Sequence, residues 1–376
     1  MLLVSEPTLG EDEKAALASV IDSNWITMGG RVQAFEQAFA EKHGATHAVA
    51  VNSCTAALHL ALIALGIGRG DEVLVPSLSF VATANAVHYA GATPVFVDIE
   101  SLTVPLISLD DAAAKCTSRT RAVIVMHYAG YIADPDAWRA FADARGLRLI
   151  EDSAHAVGSD RSRIFGDLAA FSFFGNKNMT TAEGGMILGE DEDVIARARL
   201  GRSHGLTTST VQRLNGKPMY DMAMLGYNYR MDELSAAIGL VQLAKVDAWN
   251  ARRRQLTQLY KHLLDDSGVD IVSPFSTQSA STNHIFPILL PLHADRNEVM
   301  EALRECGIQT SYHYPPIHQL GWYRTLHPGL TVAKTEEFSA RELTLPLHPK
   351  MTNLDVENVV ESLNRILTYK NGGGSR

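Results

Sequence analysis

From about Thr46 to Ala154 the sequence alternates short apolar runs with longer amphipathic ones. The short runs, such as HAVAVNS, DEVLVPS, TPVFVDI, RAVIVMHYAG and LRLIEDSA, have the length and apolar content of buried strands. The longer runs, such as TAALHLALIALG and SFVATANAVHYAG, have helical spacing and end in glycine. Strands separated by helix-length segments need crossover connections, so the pattern predicts an α/β fold with a mostly parallel central sheet.

The pattern changes after about Met231. The next 35 or so residues are apolar at helical spacing and predict one long helix or two joined helices leaving the sheet. A strand-like HIFPILLP, a helix at Arg296 to Cys306 and a last helix at Asp355 to Leu367 follow. We therefore expect a large α/β domain with an N-terminal helical segment at 1–245, a smaller C-terminal α+β domain at 246–370, and a flexible tail at 371–376. The hinge should lie near Val246 to Arg254.

Charge and cysteine content exclude several function classes. A formal net charge of -9 argues against nucleic-acid binding, which needs a concentrated basic face. The three cysteines, Cys54, Cys116 and Cys306, have no close spacing, which argues against a disulfide framework or a thiolate metal site. The N-terminus does not resemble a signal peptide, and no apolar stretch approaches roughly 18 residues. We expect a cytoplasmic protein that binds neither nucleic acid nor a membrane.

Unusual residues follow several predicted strands, at the edge of the sheet where ligands of parallel sheets bind. In VNSCTAALHL a strand leads into a helix start at Cys54 and Thr55, which suits a phosphate group but equally an ordinary helix cap. Phe80 follows the next strand and could stack on a flat ligand or pack in the core. LIEDSAHAVGS ends a strand at Asp152, with His155 three residues later.

Two groups at this edge need particular partners. A buried carboxylate such as Asp152 requires a cation or several donors, which could be backbone N–H groups or the protonated ring nitrogen of a ligand. Lys177, in SFFGNKNMTTAEGG, follows the strand-like AAFSFFG and has apolar, small and amide neighbours. Burial there favours the neutral amine, which can form a Schiff base with a carbonyl compound. A helix start that suits a phosphate group, a ring that can stack, a carboxylate and an amine together predict pyridoxal 5'-phosphate as the cofactor.

The order of these segments resembles the DegT/DnrJ/EryC1/StrS family of pyridoxal-phosphate-dependent sugar aminotransferases over nearly the whole chain. The resemblance implies the aspartate-aminotransferase type of fold (fold type I) and a homodimer. EDSAHAVG followed by NKNMTTAEGG is most similar to 4-aminotransferases acting on nucleotide-linked keto sugars, of the aminoarabinose or perosamine type. The matching segments include SNWITMGGRVQAFEQAFA, VNSCTAALHLAL, GDEVLVPSLSFVATANAV, IEDSAHAVGS, FSFFGNKNMTTAEGGM, GYNYRMDELSAAIGLVQL and HYPPIHQLGWY.

The resemblance also implies roles for single residues. Lys177 would carry the cofactor as a Schiff base, Asp152 would pair with its pyridine nitrogen, and His155 would lie beside the ring near its phenolic oxygen. Phe80 would stack on the ring face. The phosphate would be held by Cys54, Thr55 and Ser172.

Further implied contacts involve the dimer and the acceptor. Asn228 and Arg230, in GYNYRMDE, would reach the cofactor phosphate of the partner subunit, so that the two active sites are shared. The loop SYHYPPIHQLGWY offers candidate walls for the acceptor, although a ring-rich loop is as typical of packing: His313, Tyr314, His318 and Trp322. In TMGG, Gly30 stands where the family usually has proline, which removes a rigid turn expected near the substrate.

The implied reaction moves an amino group from an amino acid, by family analogy L-glutamate, to a keto sugar. A nucleotide-linked 4-keto-6-deoxy sugar for surface polysaccharide or natural-product biosynthesis is the favoured acceptor. A keto cyclitol or keto acid sugar stays open as an alternative acceptor. A non-catalytic regulatory relative is a further alternative, against which the pair of Lys177 and Asp152 argues. Related dehydrating enzymes have histidine at the lysine position, so Lys177 also argues against dehydration.

Overall fold

A seven-stranded sheet forms the centre of the computed structural model, which describes residues 1–159, 163–208, 216, 219–276 and 280–372. Its strands lie in the order β1-β7-β6-β5-β4-β2-β3. β7 runs antiparallel to β1 and β6, and the other pairs are parallel, which confirms the mostly parallel sheet predicted from the sequence. The strands are β1 (His47–Val51), β2 (Glu72–Pro76), β3 (Thr93–Val97), β4 (Thr120–Met126), β5 (Arg148–Asp152), β6 (Leu168–Ser172) and β7 (Gly185–Gly189).

Helices cover both faces of this sheet. Alternate residues of one strand serve different faces: Val49 and Val51 belong to one apolar cluster, while Ala48 and Ala50 belong to another. Burial on both faces explains why the strands read as continuous apolar runs. The helices up to the long one are α1 (Glu11–Asp22), α2 (Gly30–Lys42), α3 (Cys54–Ala64), α4 (Ala82–Tyr89), α5 (Leu109–Lys115), α6 (Pro135–Arg145), α7 (Glu192–Arg202) and α8 (Glu233–Asp265).

The long apolar segment forms α8 as one unbroken helix of 33 residues. Its first half packs on the sheet through Ala236, Leu243 and Val246. Its second half packs in a separate cluster that includes Leu256 and Tyr260. α8 therefore links two apolar cores and runs without a break across the boundary predicted at residue 246. The division into two domains stays a prediction.

The C-terminal part pairs two antiparallel strands, β8 (Phe286–Leu289) and β9 (Glu342–Leu345). The predicted helix at Arg296 ends at Glu305. The last helix is longer than predicted, because the Thr352 hydroxyl accepts from the Asp355 backbone N–H and supports an earlier start. Only the first two residues of the predicted tail are described, and they end that helix. The remaining helices are α9 (Arg296–Glu305), α10 (Gly321–Leu326), α11 (Ala333–Arg341) and α12 (Asn353–Gly372).

Short 3₁₀ turns at Tyr128–Gly130 and Ile317–Gln319 complete the described secondary structure. The first was predicted as a continuation of strand β4, and the strand instead ends at Met126. Within the described ranges, no helix has both the length and the apolar character needed to cross a membrane.

Candidate active site

A cavity of about 360 Å³ opens where the parallel strands end. Its walls come from the start of α3, the segment before α4, the end of β5, the loop between β6 and β7, and the chain after β8. Elements far apart in sequence thus meet at the edge of the sheet where a ligand was expected. The predicted site residues that line it are Cys54, Thr55, Phe80, Asp152, His155, Ser172, Lys177, His313 and Tyr314.

Lys177 lies in the loop of residues 173–184, which connects the adjacent strands β6 and β7. Its backbone N–H donates to the Phe174 carbonyl at 3.0 Å. Among the described residues, its amine has no hydrogen-bond or ion-pair partner. Burial lowers the pKa of this amine to about 8, against the opposing influence of Cys54 and Asp152. The cavity therefore holds an amine that is unpaired and readily neutral.

Asp152 is the last residue of β5 and is only 4% exposed. One carboxylate oxygen accepts from the Thr83 hydroxyl at 2.8 Å, and the other accepts from the Ala154 backbone N–H at 3.2 Å. Burial raises the pKa of Asp152, while these two bonds and the charge of Lys177 favour the anion. The described residues supply no ion pair to it, so this carboxylate can still take a cationic N–H from a ligand.

The neighbouring acid, Glu151, serves the fold. Consecutive strand residues point to opposite faces, so Glu151 faces away from the cavity. It accepts backbone N–H bonds from Phe165 at 2.7 Å and from Gly166 at 2.8 Å, and its other oxygen lies 2.8 Å from His127 Nε2. Since His127 Nδ1 accepts from the Ala133 backbone N–H, Nε2 carries the proton and donates it to Glu151.

His155 is held in one tautomer. Its Nδ1 accepts from the Ala129 backbone N–H at 3.2 Å, so the proton sits on Nε2. Nε2 lies 2.9 Å from the Tyr314 hydroxyl oxygen and donates to it. Burial depresses the pKa of His155 far below its usual range, which keeps the ring neutral. The hydroxyl hydrogen of Tyr314 is then free to point at another acceptor.

The start of α3 supplies small polar groups. Ser53 caps this helix, because its hydroxyl accepts from the Ala56 backbone N–H at 3.1 Å. The backbone N–H groups of the first turn of a helix have no partner within that helix and attract anions. Strand β7 passes very close: a Cβ on Gly185 would lie 2.6 Å from the Ser53 carbonyl carbon. Ser172, at the end of β6, completes this side of the cavity.

Two predicted acceptor residues lie outside the cavity lining. Both ring nitrogens of His318 are engaged, one 2.7 Å from the Ser77 hydroxyl and the other 3.0 Å from a Glu336 carboxylate oxygen. The 3₁₀ turn at Ile317–Gln319 directs this ring into the core beside strand β2. Trp322 is exposed on α10, where its ring packs edge-on against His88. Neither ring lines the cavity, and their predicted contact with the acceptor stays a prediction.

Asn228 and Arg230 also lie outside the cavity lining. They belong to a segment that runs beside the end of β1, where the Asn52 backbone N–H donates to the Tyr229 carbonyl at 2.9 Å. Arg230 forms a β-bridge with Val51, and Asn228 is exposed. Both residues therefore lie beside the chain that leads from β1 into α3, outside the cavity lining. Their predicted contact with a partner subunit stays a prediction.

The structure adds residues that the sequence reasoning missed. Thr83, one turn into the helix after Phe80, anchors Asp152. The Asn178 amide bonds Asn250 of α8 at 2.7 Å, and its oxygen accepts from His284 at 2.8 Å. Asn176 lines the cavity with a buried side-chain oxygen that has no hydrogen-bond partner among the described residues. Only the amide and hydroxyl character of these side chains hinted at a role.

The residues present fit pyridoxal phosphate. Within the described ranges, Lys177 offers an amine with no bonded partner, Asp152 offers a buried carboxylate without an ion pair, and the start of α3 offers backbone donors beside hydroxyl groups. The Phe80 ring is 58% exposed and faces Tyr314 at a ring-centroid distance of 6.1 Å, which leaves it available to a flat ligand.

Comparison with known proteins gives one family and close structural likeness. The model of the DegT/DnrJ/EryC1/StrS aminotransferase family matches residues 7–364. PseC of Helicobacter pylori, an aminotransferase involved in the biosynthesis of pseudoaminic acid, superposes with a TM-score of 0.91 at 29% identity, over 98% of this chain and 99% of that chain. The aminotransferase TlmJ from Streptoalloteichus hindustanus superposes with a TM-score of 0.91 at 33% identity, over 99% and 100%. NtdA from Bacillus subtilis, solved with bound cofactor PMP, superposes with a TM-score of 0.86 at 28% identity, over 95% and 81%.

Proposed function

Because the chain belongs to the DegT/DnrJ/EryC1/StrS aminotransferase family, we propose a role for each group of its cavity in the transfer of an amino group to a keto sugar. The protein is a pyridoxal-phosphate-dependent sugar aminotransferase of fold type I. When bound, pyridoxal phosphate supplies a carbonyl carbon that takes up an amine and a ring that withdraws electrons.

Four groups of this chain would hold the cofactor. Lys177 would bind its carbonyl carbon, and Asp152 would hold a proton at its ring nitrogen. Phe80 would cover one ring face. The phosphate would lie at the start of α3, among the hydroxyl groups of Thr55 and Ser172 and the thiol of Cys54. Burial raises the pKa of Cys54 well above its usual range, so this thiol stays neutral and adds no repulsion against a phosphate.

The observation that carries the proposal is the meeting of Lys177 and Asp152 in one cavity. A neutral amine can accept a proton and return it, and a pKa of about 8 keeps a useful fraction of Lys177 neutral near physiological pH. Asp152 has the opposite role, since it stabilises positive charge on the group it faces. Tyr314 accepts a hydrogen bond from His155, which leaves its own hydroxyl hydrogen free for another acceptor.

The favoured acceptor is a nucleotide-linked 4-keto-6-deoxy sugar, with L-glutamate as amino donor. This choice rests on the motifs EDSAHAVG and NKNMTTAEGG, and the involvement of PseC in pseudoaminic acid biosynthesis agrees with it. We further propose a homodimer with shared active sites, in which Asn228 and Arg230 serve the cofactor of the partner subunit. Their place beside the start of α3 but outside the cavity supports this arrangement. A cytoplasmic location completes the proposal, supported by three free cysteines.

The function is tested with purified protein and pyridoxal phosphate. We expect a visible absorbance band that L-glutamate bleaches, with about one equivalent of 2-oxoglutarate released per active site, and continued release that depends on an added nucleotide-linked 4-keto-6-deoxy sugar. Lys177→Ala should lose both, whereas the exposed Lys14→Ala is the matched control and should keep both. Release of 2-oxoglutarate with keto cyclitols alone would reject the proposed acceptor. Equal cofactor binding by Lys177→Ala would reject the proposed site.

A further inference from the structure

His313 lines the cavity with a ring whose proton can occupy either nitrogen. Nδ1 lies 2.8 Å from the Thr344 hydroxyl oxygen, and no described residue bonds Nε2. Burial lowers the pKa of His313 to about 3, so the ring is neutral and carries one proton. The partner of Nδ1 therefore decides whether Nε2 meets a substrate as a donor or as an acceptor.

The Thr344 hydroxyl also contacts the carboxyl group of Glu342, which has no role in the proposed reaction. Glu342 is the first residue of β9 and is completely buried. Its Oε2 accepts from the His313 backbone N–H at 2.7 Å, a bond whose direction cannot reverse. Its Oε1 lies 2.5 Å from the Thr344 hydroxyl oxygen. The three side chains form a continuous chain of hydrogen bonds from Glu342 to the cavity.

The single hydrogen of the Thr344 hydroxyl couples the two ends of this chain. When Glu342 is ionised, Thr344 donates to Oε1 and must accept from Nδ1–H of His313, so Nε2 is an acceptor. When Glu342 is protonated, Oε1 donates to Thr344, because Oε2 already accepts from the backbone. Thr344 then donates to Nδ1, so Nε2 carries the proton and is a donor.

We propose that Glu342, acting through Thr344, sets the tautomer of His313 and thereby decides whether Nε2 donates or accepts a hydrogen bond in the active-site cavity. Glu342 is a positioning residue, since it reaches the substrate only through the other two side chains. With Glu342 protonated, Nε2–H suits an oxygen acceptor such as a hydroxyl or keto oxygen of the sugar. This consequence for the substrate rests on the proposed function, whereas the tautomer itself does not.

The surroundings of Glu342 favour its neutral form near pH 7. Burial raises the pKa of Glu342 to about 8, against its bonds to Thr344 and the His313 backbone and the charge of Arg296. Arg296 Nη1 donates to the Ser339 carbonyl of α11 and lies 3.4 Å from the Glu342 carbonyl oxygen. Tyr128, from the 3₁₀ turn after β4, donates to the His313 carbonyl at 2.5 Å. Burial raises the pKa values of Tyr128 and Tyr314, and the charge of Glu342 adds to both increases. Lys177 is the cation that acts on the His313 ring from across the cavity.

The tautomer is measured on cofactor-loaded protein labelled with ¹⁵N-histidine, by long-range ¹H–¹⁵N correlation spectra from pH 6 to 9.5. The His313 signals are identified by their loss in His313→Gln. We expect Nε2–H at pH 7 and a change to Nδ1–H as the pH rises through about 8. Glu342→Gln mimics the protonated acid, since its amide donates to Thr344, and should hold Nε2–H across the whole range.

Two further variants sharpen the test. Thr344→Val removes the connecting hydroxyl, so the tautomer of His313 should no longer follow pH. Glu336→Gln is the matched control, because Glu336 bonds a different histidine, His318, and should leave the His313 signals unchanged. The same tautomer at pH 9.5 in the wild type and Glu342→Gln would overturn the proposal. If Glu342→Gln does not fold, an unaltered pH response in Thr344→Val overturns it instead. Loss of transferase activity with the expected tautomers would count against the proposed function alone.

Discussion

The Thr83 hydroxyl donates a 2.8 Å hydrogen bond to Asp152, linking the start of α4 to the end of β5. This bond stabilises the ionised carboxylate, which burial otherwise disfavours. Thr83→Val should therefore weaken pyridoxal phosphate binding by about 10- to 100-fold, corresponding to about 1.5–3 kcal/mol for a hydrogen bond to a charged group. Thr83→Ser keeps the hydroxyl and should bind nearly as the wild type does. Absorbance titration with the cofactor measures both, and equal affinity of the two variants would contradict the assigned role.

Removing the charge of Asp152 should mainly affect cofactor affinity, whereas removing the charge of Glu151 should mainly affect stability. Asp152→Asn removes a buried charge without an ion pair, so the melting temperature should hold or rise while cofactor affinity falls by at least about 10-fold. Glu151→Gln disturbs a satisfied network with His127 and should lower the free energy of unfolding by about 1–3 kcal/mol. Thermal melts of the cofactor-free proteins and cofactor titrations separate the two effects. A larger loss of cofactor affinity in Glu151→Gln than in Asp152→Asn would reverse these assignments.

Capture of pyridoxal phosphate by the cofactor-free protein should accelerate with rising pH. The pKa of Lys177 is lowered to about 8, so the reactive neutral amine forms as the pH rises through that value. Nα-acetyllysine is the reference, and its midpoint should lie near the ordinary lysine pKa of about 10.4. Stopped-flow absorbance from pH 6.5 to 10 gives both curves. Coincident midpoints for protein and reference would show that burial does not activate this lysine.

Gly185, the second glycine of the pair after Lys177, leaves no room for a larger side chain. Gly185→Ala places a Cβ 2.6 Å from the Ser53 carbonyl carbon, so β7 and the start of α3 must separate. We expect a loss of about 1–3 kcal/mol of stability, together with weaker phosphate binding. Gly175→Ala, in the loop that precedes β7, meets nothing within 4 Å and is the matched control. Denaturant unfolding and cofactor titration would detect the difference, and similar behaviour of the two variants would argue against close packing at Gly185.

Shared active sites predict complementation between two inactive variants. If Arg230 serves the cofactor of the partner subunit, a mixed dimer of Lys177→Ala and Arg230→Ala contains one intact site. The mixed dimers should then have about half of the wild-type activity, because each has one functional site of two. The variants are co-expressed with different affinity tags, and the doubly tagged dimers are assayed. Mixed dimers as inactive as the parents would place Arg230 in the same site as its own Lys177.

Short-range patterns were sufficient to predict the residues at strand ends. Asp152 closes β5 and Lys177 follows β6, and both could be placed at the ligand edge because parallel strands end together there. The assignment of Asp152 rather than Glu151 to the cavity follows from the alternation of side chains along a strand.

Local sequence patterns could not predict which rings of one loop line the cavity, because contacts between residues far apart in the sequence decide it. The loop at 311–323 contains rings at similar spacing, yet His313 and Tyr314 line the cavity while His318 turns into the core. The difference arises from the partners each ring meets: Thr344 of β9 for His313, and Ser77 of β2 for His318. Neither partner lies near these histidines in the sequence.

By itself the sequence determined the α/β class and the cofactor, and it placed Lys177 and Asp152 at the ligand edge of the sheet, because apolar periodicity and strand ends are local properties of the chain. Only the tertiary structure decided which hydroxyl bonds Asp152, which rings line the cavity, and which buried carboxyl group ends the hydrogen-bonded chain that starts at His313. Those choices depend on side chains more than 25 positions apart, as Thr83 and Asp152 are at 69, and on the burial that shifts their pKa values.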